Sequence, residues 1–75
     1  MSRNPEYWDE VTFYTLVNDR KRTHPDERFG QRCFNVLFIL DPELAEMIRG
    51  TNADPFYAET MTDPRFFRFE KELWG

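Results

Sequence analysis

The chain has 75 residues, of which 40% are hydrophobic, 17% aromatic and 32% charged, and its formal net charge is −4. That length admits one domain with one small core and excludes two, since each half would fall below the size at which a core offsets chain entropy. The aromatic content excludes a disordered tail, and the acidic balance argues against non-specific binding to duplex nucleic acid.

The apolar run from Cys33 to Leu40 is interrupted by Asn35 and is too short to span a bilayer. Met1-Ser2-Arg3-Asn4-Pro5 has no apolar core of a secretory leader, and one cysteine excludes an internal disulfide framework. A small cytoplasmic domain with no membrane attachment is expected.

Proline placement punctuates the chain. Asn4-Pro5, Asp41-Pro42, Asp54-Pro55 and Asp63-Pro64 each set an N-cap side chain before a residue suited to the first helical position. The Asn or Asp oxygen accepts from an orphan backbone N–H, and the proline lacks an N–H that would have gone unpaired anyway.

The first helix is predicted over Pro5 to Arg22. Tyr7, Val11, Tyr14 and Val17 form its apolar stripe, with Glu10 and Phe13 at the edge. Acids at Glu6, Asp9 and Glu10 and bases at Arg20, Lys21 and Arg22 complement the helix dipole. A strand competes, because Val11 to Val17 is rich in β-formers. The apolar residues do not alternate, however, and a strand gives that charge polarity no purpose.

Thr23 or Asp26 caps a second helix over Asp26 to Leu40. Phe29, Cys33, Val36, Leu37 and Leu40 share one face, and Phe34 and Phe38 lie on another. A helix apolar nearly all round belongs at the centre; a buried strand over Phe34 to Leu40 is the rival reading, and it would need partners the chain scarcely offers. Asp41-Pro42 restarts a short helix to about Arg49, burying Leu44, Met47 and Ile48, with Gly50 as its C′ residue. Asp54-Pro55 opens a single turn that directs Phe56 and Tyr57 inward. The last helix runs from Asp63-Pro64 towards Trp74, with Phe66, Phe69 and Leu73 on one face and Phe67 and Trp74 on a second. The predicted fold is all-α, a compact bundle of three to four short helices with an extra helical turn.

Arg28-Phe29-Gly30-Gln31, Asn35 and Leu37, Asp41-Pro42-Glu43-Leu44-Ala45, Ile48-Arg49-Gly50-Thr51 and Asp54-Pro55-Phe56-Tyr57 follow one another in a specific order. With the ending Phe66-Phe67 to Leu73-Trp74, this series resembles small uncharacterised proteins of actinobacteriophages and their actinobacterial hosts. The likeness covers about residues 28–74. Phe29 departs from it, standing where such proteins would have proline. The resemblance implies no enzymatic activity and no cofactor. From the residues alone, Gly30 is expected to permit close packing near a helix start, and Gln31 and Asn35 to share a face and bond each other or nearby backbone.

Catalytic chemistry finds little support in the residue inventory. His24 is the one histidine and precedes Pro25 in a connecting loop; Cys33 lies on an apolar face; Glu43, Glu46, Glu70 and Glu72 read as exposed carboxylates. Gly30, Gly50 and Gly75 are too far apart to form a phosphate loop. Neither a catalytic residue, a metal site nor a cofactor site is assigned. Two tryptophans, three tyrosines and eight phenylalanines exceed what so small a core can enclose. Trp8, Phe67 and Trp74 are therefore the expected anchors of an interaction surface, with Phe56 or Tyr57 further candidates for exposure. The basic cluster of Arg20, Arg22, Arg28 and Arg32 is expected to form its charged rim. The expected partner is a host protein. A homo-oligomer is one alternative, and a nucleic-acid regulator using residues 20–32 is another, disfavoured by overall charge.

Overall fold

A computed structural model describes residues 8–75. It is all-α, with helices α1 (Glu10–Thr23), α2 (Phe29–Leu40), α3 (Pro42–Ile48) and α4 (Pro64–Trp74) and no strand among the described residues.

Helix α1 begins at Glu10, later than expected. Asp9 is its N-cap and accepts from the Thr12 N–H at 2.9 Å. Asn4-Pro5, Glu6 and Tyr7 lie outside the described residues. Trp8, just before the cap, stacks on Phe13 in the second turn at 5.8 Å between ring centroids. This cap with a hydrophobic staple across it is a complete helix start. It also sets the buried face: Phe13 and Val17 point inward, whereas Val11, expected on the stripe, is 73% exposed.

Helix α2 starts at Phe29 rather than Asp26, and neither Thr23 nor Asp26 caps it. Arg28 occupies the N-cap position with no side-chain bond. Instead, the N–H of Gly30 donates to the Ala58 carbonyl at 2.9 Å, so a distant turn supplies an acceptor for one orphan donor of the first turn. Glu27 stays out of the helix because Arg20 and Asn35 hold its carboxylate. Asn35 thus bonds Glu27 and not Gln31.

Asp41 and Asp63 cap α3 and α4, accepting from the N–H groups of Leu44 and Arg65, with Pro42 and Pro64 next in sequence. Helix α3 buries Leu44, Ala45 and Ile48; Met47, expected inside, is half exposed, and Ala45 takes the inner position. Gly50 follows with φ 75°, the left-handed conformation that closes a helix. Between α3 and α4 the chain forms only short turns. Asp54 accepts from Gly50 and Phe56, and the Ala58 N–H closes a turn onto the Pro55 carbonyl at 2.9 Å. Arg65 and Arg68 of α4 donate to the Tyr57 and Asn52 carbonyls and stitch this connection to the helix.

The core is an aromatic seam. Phe13, Phe66, Phe69 and Leu73 have no exposed surface. Phe13 lies 5.6 Å from both Phe69 and Trp74, and Phe66 lies 4.9 Å from Phe29. Helix α4 is thereby locked to α1 and to the start of α2. Each fully buried phenylalanine contributes about 1.5–3 kcal/mol from area alone.

The seam holds two groups in their protonated forms. Burial, reinforced by a hydrogen bond to Glu70, pushes the Tyr14 phenol well above its ordinary value, and burial pushes the Cys33 thiol up to about 12. Both bind their protons more tightly in the folded chain. Their contribution is whole below the ordinary values of 9.0 for the thiol and 10.0 for the phenol and is lost as pH rises beyond them. The urea midpoint is therefore expected to hold steady near neutrality and fall above about pH 9, with a shallower fall above pH 10 in Tyr14→Phe. A midpoint independent of pH across the alkaline range contradicts this.

Candidate interaction surface

The three aromatics expected as anchors divide. Trp8 is buried, 8% exposed, and packs edge-on against Trp74 at 5.9 Å between centroids. Trp74 is half-buried against the core. Both indole N–H groups lack an acceptor among the described residues. Phe67 is 61% exposed, as expected, and lines a shallow groove with Trp74, Glu10, Glu70 and Lys71. Trp8 therefore leaves the proposed surface for the core. A ring at the residue before an N-cap folds back over the helix start, and no stripe count would have placed it there.

The basic cluster is dispersed as well. Arg20 makes a two-pronged contact with Glu27, its Nε and Nη2 at 2.7 and 2.9 Å from the two carboxylate oxygens. That guanidinium, with Asn35 assisting, holds the Glu27 carboxyl below its ordinary range. Arg32 is buried, 8% exposed, and its Nη2 donates to the Glu27 carbonyl at 2.8 Å. Arg22 pairs with Asp19 one turn back, and Arg28 is exposed beside the start of α2. Two of the four arginines are thus committed inside the fold, so residues 20–32 do not present one continuous cationic face.

Elsewhere, three separate stretches of sequence converge. Phe34 and Asn35 from α2, Arg49 and Gly50 from the end of α3, and Asp54, Phe56 and Tyr57 from the connection line a groove of about 390 Å³. The Arg49 guanidinium lies over the Phe34 ring, 5.4 Å from its centroid, and pairs with Glu46 at 3.3 Å. Phe34, Phe56 and Tyr57 continue as an edge-to-face series, at 6.2 and 5.1 Å. Phe56 goes partly into the core, but Tyr57 is 74% exposed rather than plugged inward. The cause lies at Gly30: the turn of residues 55–58 rests its backbone on that glycine, which leaves the Tyr57 ring outside.

From sequence, Asn35, Arg49 and Asp54 carry only local roles, whereas Tyr57 is also a candidate for exposure, as the structure places it. The signal that links them is the Gly30 and Asp-Pro-Phe-Tyr pairing, in which a residue without Cβ serves as the seat for a turn. Chemically, the groove offers a planar cation and two aromatic rings on its rim, a composition suited to recognising a surface. Outside the groove lining, Cys33 is fully buried with its thiol pushed up, and His24 is exposed in the loop after α1. Among the described residues, no group of three or more His, Cys, Asp or Glu side chains could hold a metal ion, and no helix is long and apolar enough to cross a membrane. No protein-family model matches the chain, nor does any curated protein or solved structure.

Proposed function

We propose that this chain is a non-enzymatic protein-interaction module that docks a host protein through the Arg49, Phe56 and Tyr57 groove. The observation that carries the reading is the convergence of these residues with Phe34 and Asn35 on one surface. Tyrosine and arginine are enriched among the side chains that dominate interface energetics, and Arg49 is already held over the Phe34 ring. The resemblance to actinobacteriophage proteins supports the partner class and a site of action in the host cytoplasm. The mechanism is occlusion: the module covers a functional surface of its target. The nucleic-acid alternative draws less support, because Arg20 and Arg32 both turn towards Glu27.

The test uses immobilised full-length chain as bait in an actinobacterial lysate. Tyr57→Ala and Arg49→Ala are expected each to lower retention of the partner by about tenfold or more, the loss typical of a hot-spot side chain. Both side chains are more than half exposed, so folding should be unaffected. Phe67→Ala, on the other groove, leaves retention unchanged. Equal retention by all baits defeats the proposal. Self-association abolished by Tyr57→Ala, seen in sedimentation, replaces it with the homo-oligomer reading.

A further inference from the structure

Arg32 is the anomaly of the fold. It is buried, yet no carboxylate of the described residues lies within ion-pair distance of it. One nitrogen donates to the Glu27 carbonyl, and Nε has no acceptor among the described residues. Arg20, by contrast, is paired with the Glu27 carboxylate. A buried guanidinium without a counter-charge is costly, and an anion that approaches its accessible edge would offset that cost.

Such an approach exists. Arg32 lines a groove of about 460 Å³ bounded by α1, the start of α2 and residues 59–61. Lys21 lines the same groove, without an ion pair among the described residues. Val17, Phe29 and Met61 supply apolar walls, and Met61 is 58% exposed. Glu59 adds one negative charge. Two cations and one anion leave a single positive charge for a ligand, which favours a monoanion over a dianion.

The geometry points to a binding site for a small carboxylate with an apolar body, its head held by Arg32 and Lys21 and its body against Val17, Phe29 and Met61. The size lies within the range of small-molecule sites, and a guanidinium suits a planar carboxylate. This groove shares no residue with the proposed docking groove. It is a second function of the chain, independent of the first.

The test is an amide NMR titration of the full chain with benzoate and phenylacetate, alongside benzamide and inorganic phosphate. Saturable shifts confined to residues 17–21, 29–32 and 59–61 are expected with the two carboxylates and not with benzamide or phosphate. Lys21→Gln should weaken benzoate about tenfold, the loss of one charge-assisted contact. Arg32→Gln should abolish saturation; if that buried change unfolds the chain, Lys21→Gln decides. Tyr57→Ala should leave the titration as it is in the wild type, which separates this site from the docking groove. Equal response to benzamide, stronger response to phosphate, shifts centred elsewhere, or no saturation with either carboxylate at millimolar concentrations overturns the assignment.

Discussion

Gly30→Ala is expected to destabilise the fold by about 3 kcal/mol, at the upper end of what overpacking costs. Two effects oppose each other. Alanine is the better helix former, by about 1 kcal/mol in a helix interior and less in the first turn. Against that, a Cβ at residue 30 would sit 2.0 Å from the Pro55 carbonyl oxygen and 2.6 and 2.7 Å from Ala58 O and N. All three are backbone atoms, so no side chain can swing aside. The turn must lift, and lifting it breaks the Gly30 to Ala58 hydrogen bond that satisfies the start of α2. The clash therefore outweighs the propensity gain. A chain of 75 residues has a total stability of about 4–11 kcal/mol by ordinary per-residue values, so the loss is a large fraction. Urea denaturation reads it directly, and an unchanged or raised midpoint defeats the account. Because the turn also carries Phe56 and Tyr57, the same substitution should weaken partner retention; Gly50→Ala is the contrast for stability alone, since Gly50 itself lines the docking groove. Gly50 has open space where a Cβ would go and suffers only from its φ of 75°.

The helix starts legible in the sequence are those written in adjacent residues. Asp41-Pro42 and Asp63-Pro64 open α3 and α4 because cap and proline act within one turn, and that physics needs no knowledge of the rest of the chain. Asp54-Pro55 opens only a turn, as expected. The start of α1 is harder to read because Asp9 has no proline after it. Its signal is the pair Asp9 and Thr12 with Trp8 and Phe13 across them, and Asn4-Pro5 draws the expected boundary earlier. The start of helix α2 cannot be bounded locally, although its end at Leu40, before Asp41-Pro42, can. What begins it is an acceptor from Ala58 and the withdrawal of Glu27 by Arg20 and Asn35, and these are tertiary facts.

The candidate site follows the same rule. Phe67 is outside because the three buried positions of α4, Phe66, Phe69 and Leu73, already define its inner face. Trp8 is inside because it staples a helix that begins later than Pro5 suggests. Arg32 looks like a surface cation in a basic run, yet it occupies a buried position of α2 between Phe29 and Val36, where periodicity alone would have put it. Charge type is the weaker guide there, and helical phase the stronger. The Arg49 and Tyr57 groove is not legible in sequence for a further reason: its members come from α2, the end of α3 and the connection, which meet only once the 55–58 backbone settles on Gly30.

Phe13→Ala should cost about 3–5 kcal/mol, the range for truncating a buried phenylalanine, and so remove much of the chain's stability. The ring is fully buried and lies within 5.8 Å, centroid to centroid, of Trp8, Tyr14, Phe69 and Trp74. Deleting it leaves a cavity bordered by four other aromatic rings, which cannot collapse without moving α4 towards α1. The edge-to-face and tilted ring pairings that Phe13 makes are each worth about 0.5–1.5 kcal/mol beyond area, and they disappear with the ring. Val11→Ala on the same helix is the matched control. Val11 is 73% exposed, and its replacement should stay within about 0.5 kcal/mol of wild type, helped slightly by the better helix propensity of alanine. The two variants discriminate between the registers available to α1. A helix begun at Pro5 with Val11 on its stripe would make Val11→Ala the damaging change, whereas a helix capped at Asp9 makes it Phe13→Ala. Comparable losses in both, or a larger loss at Val11, would overturn the stapled start on which the aromatic seam depends.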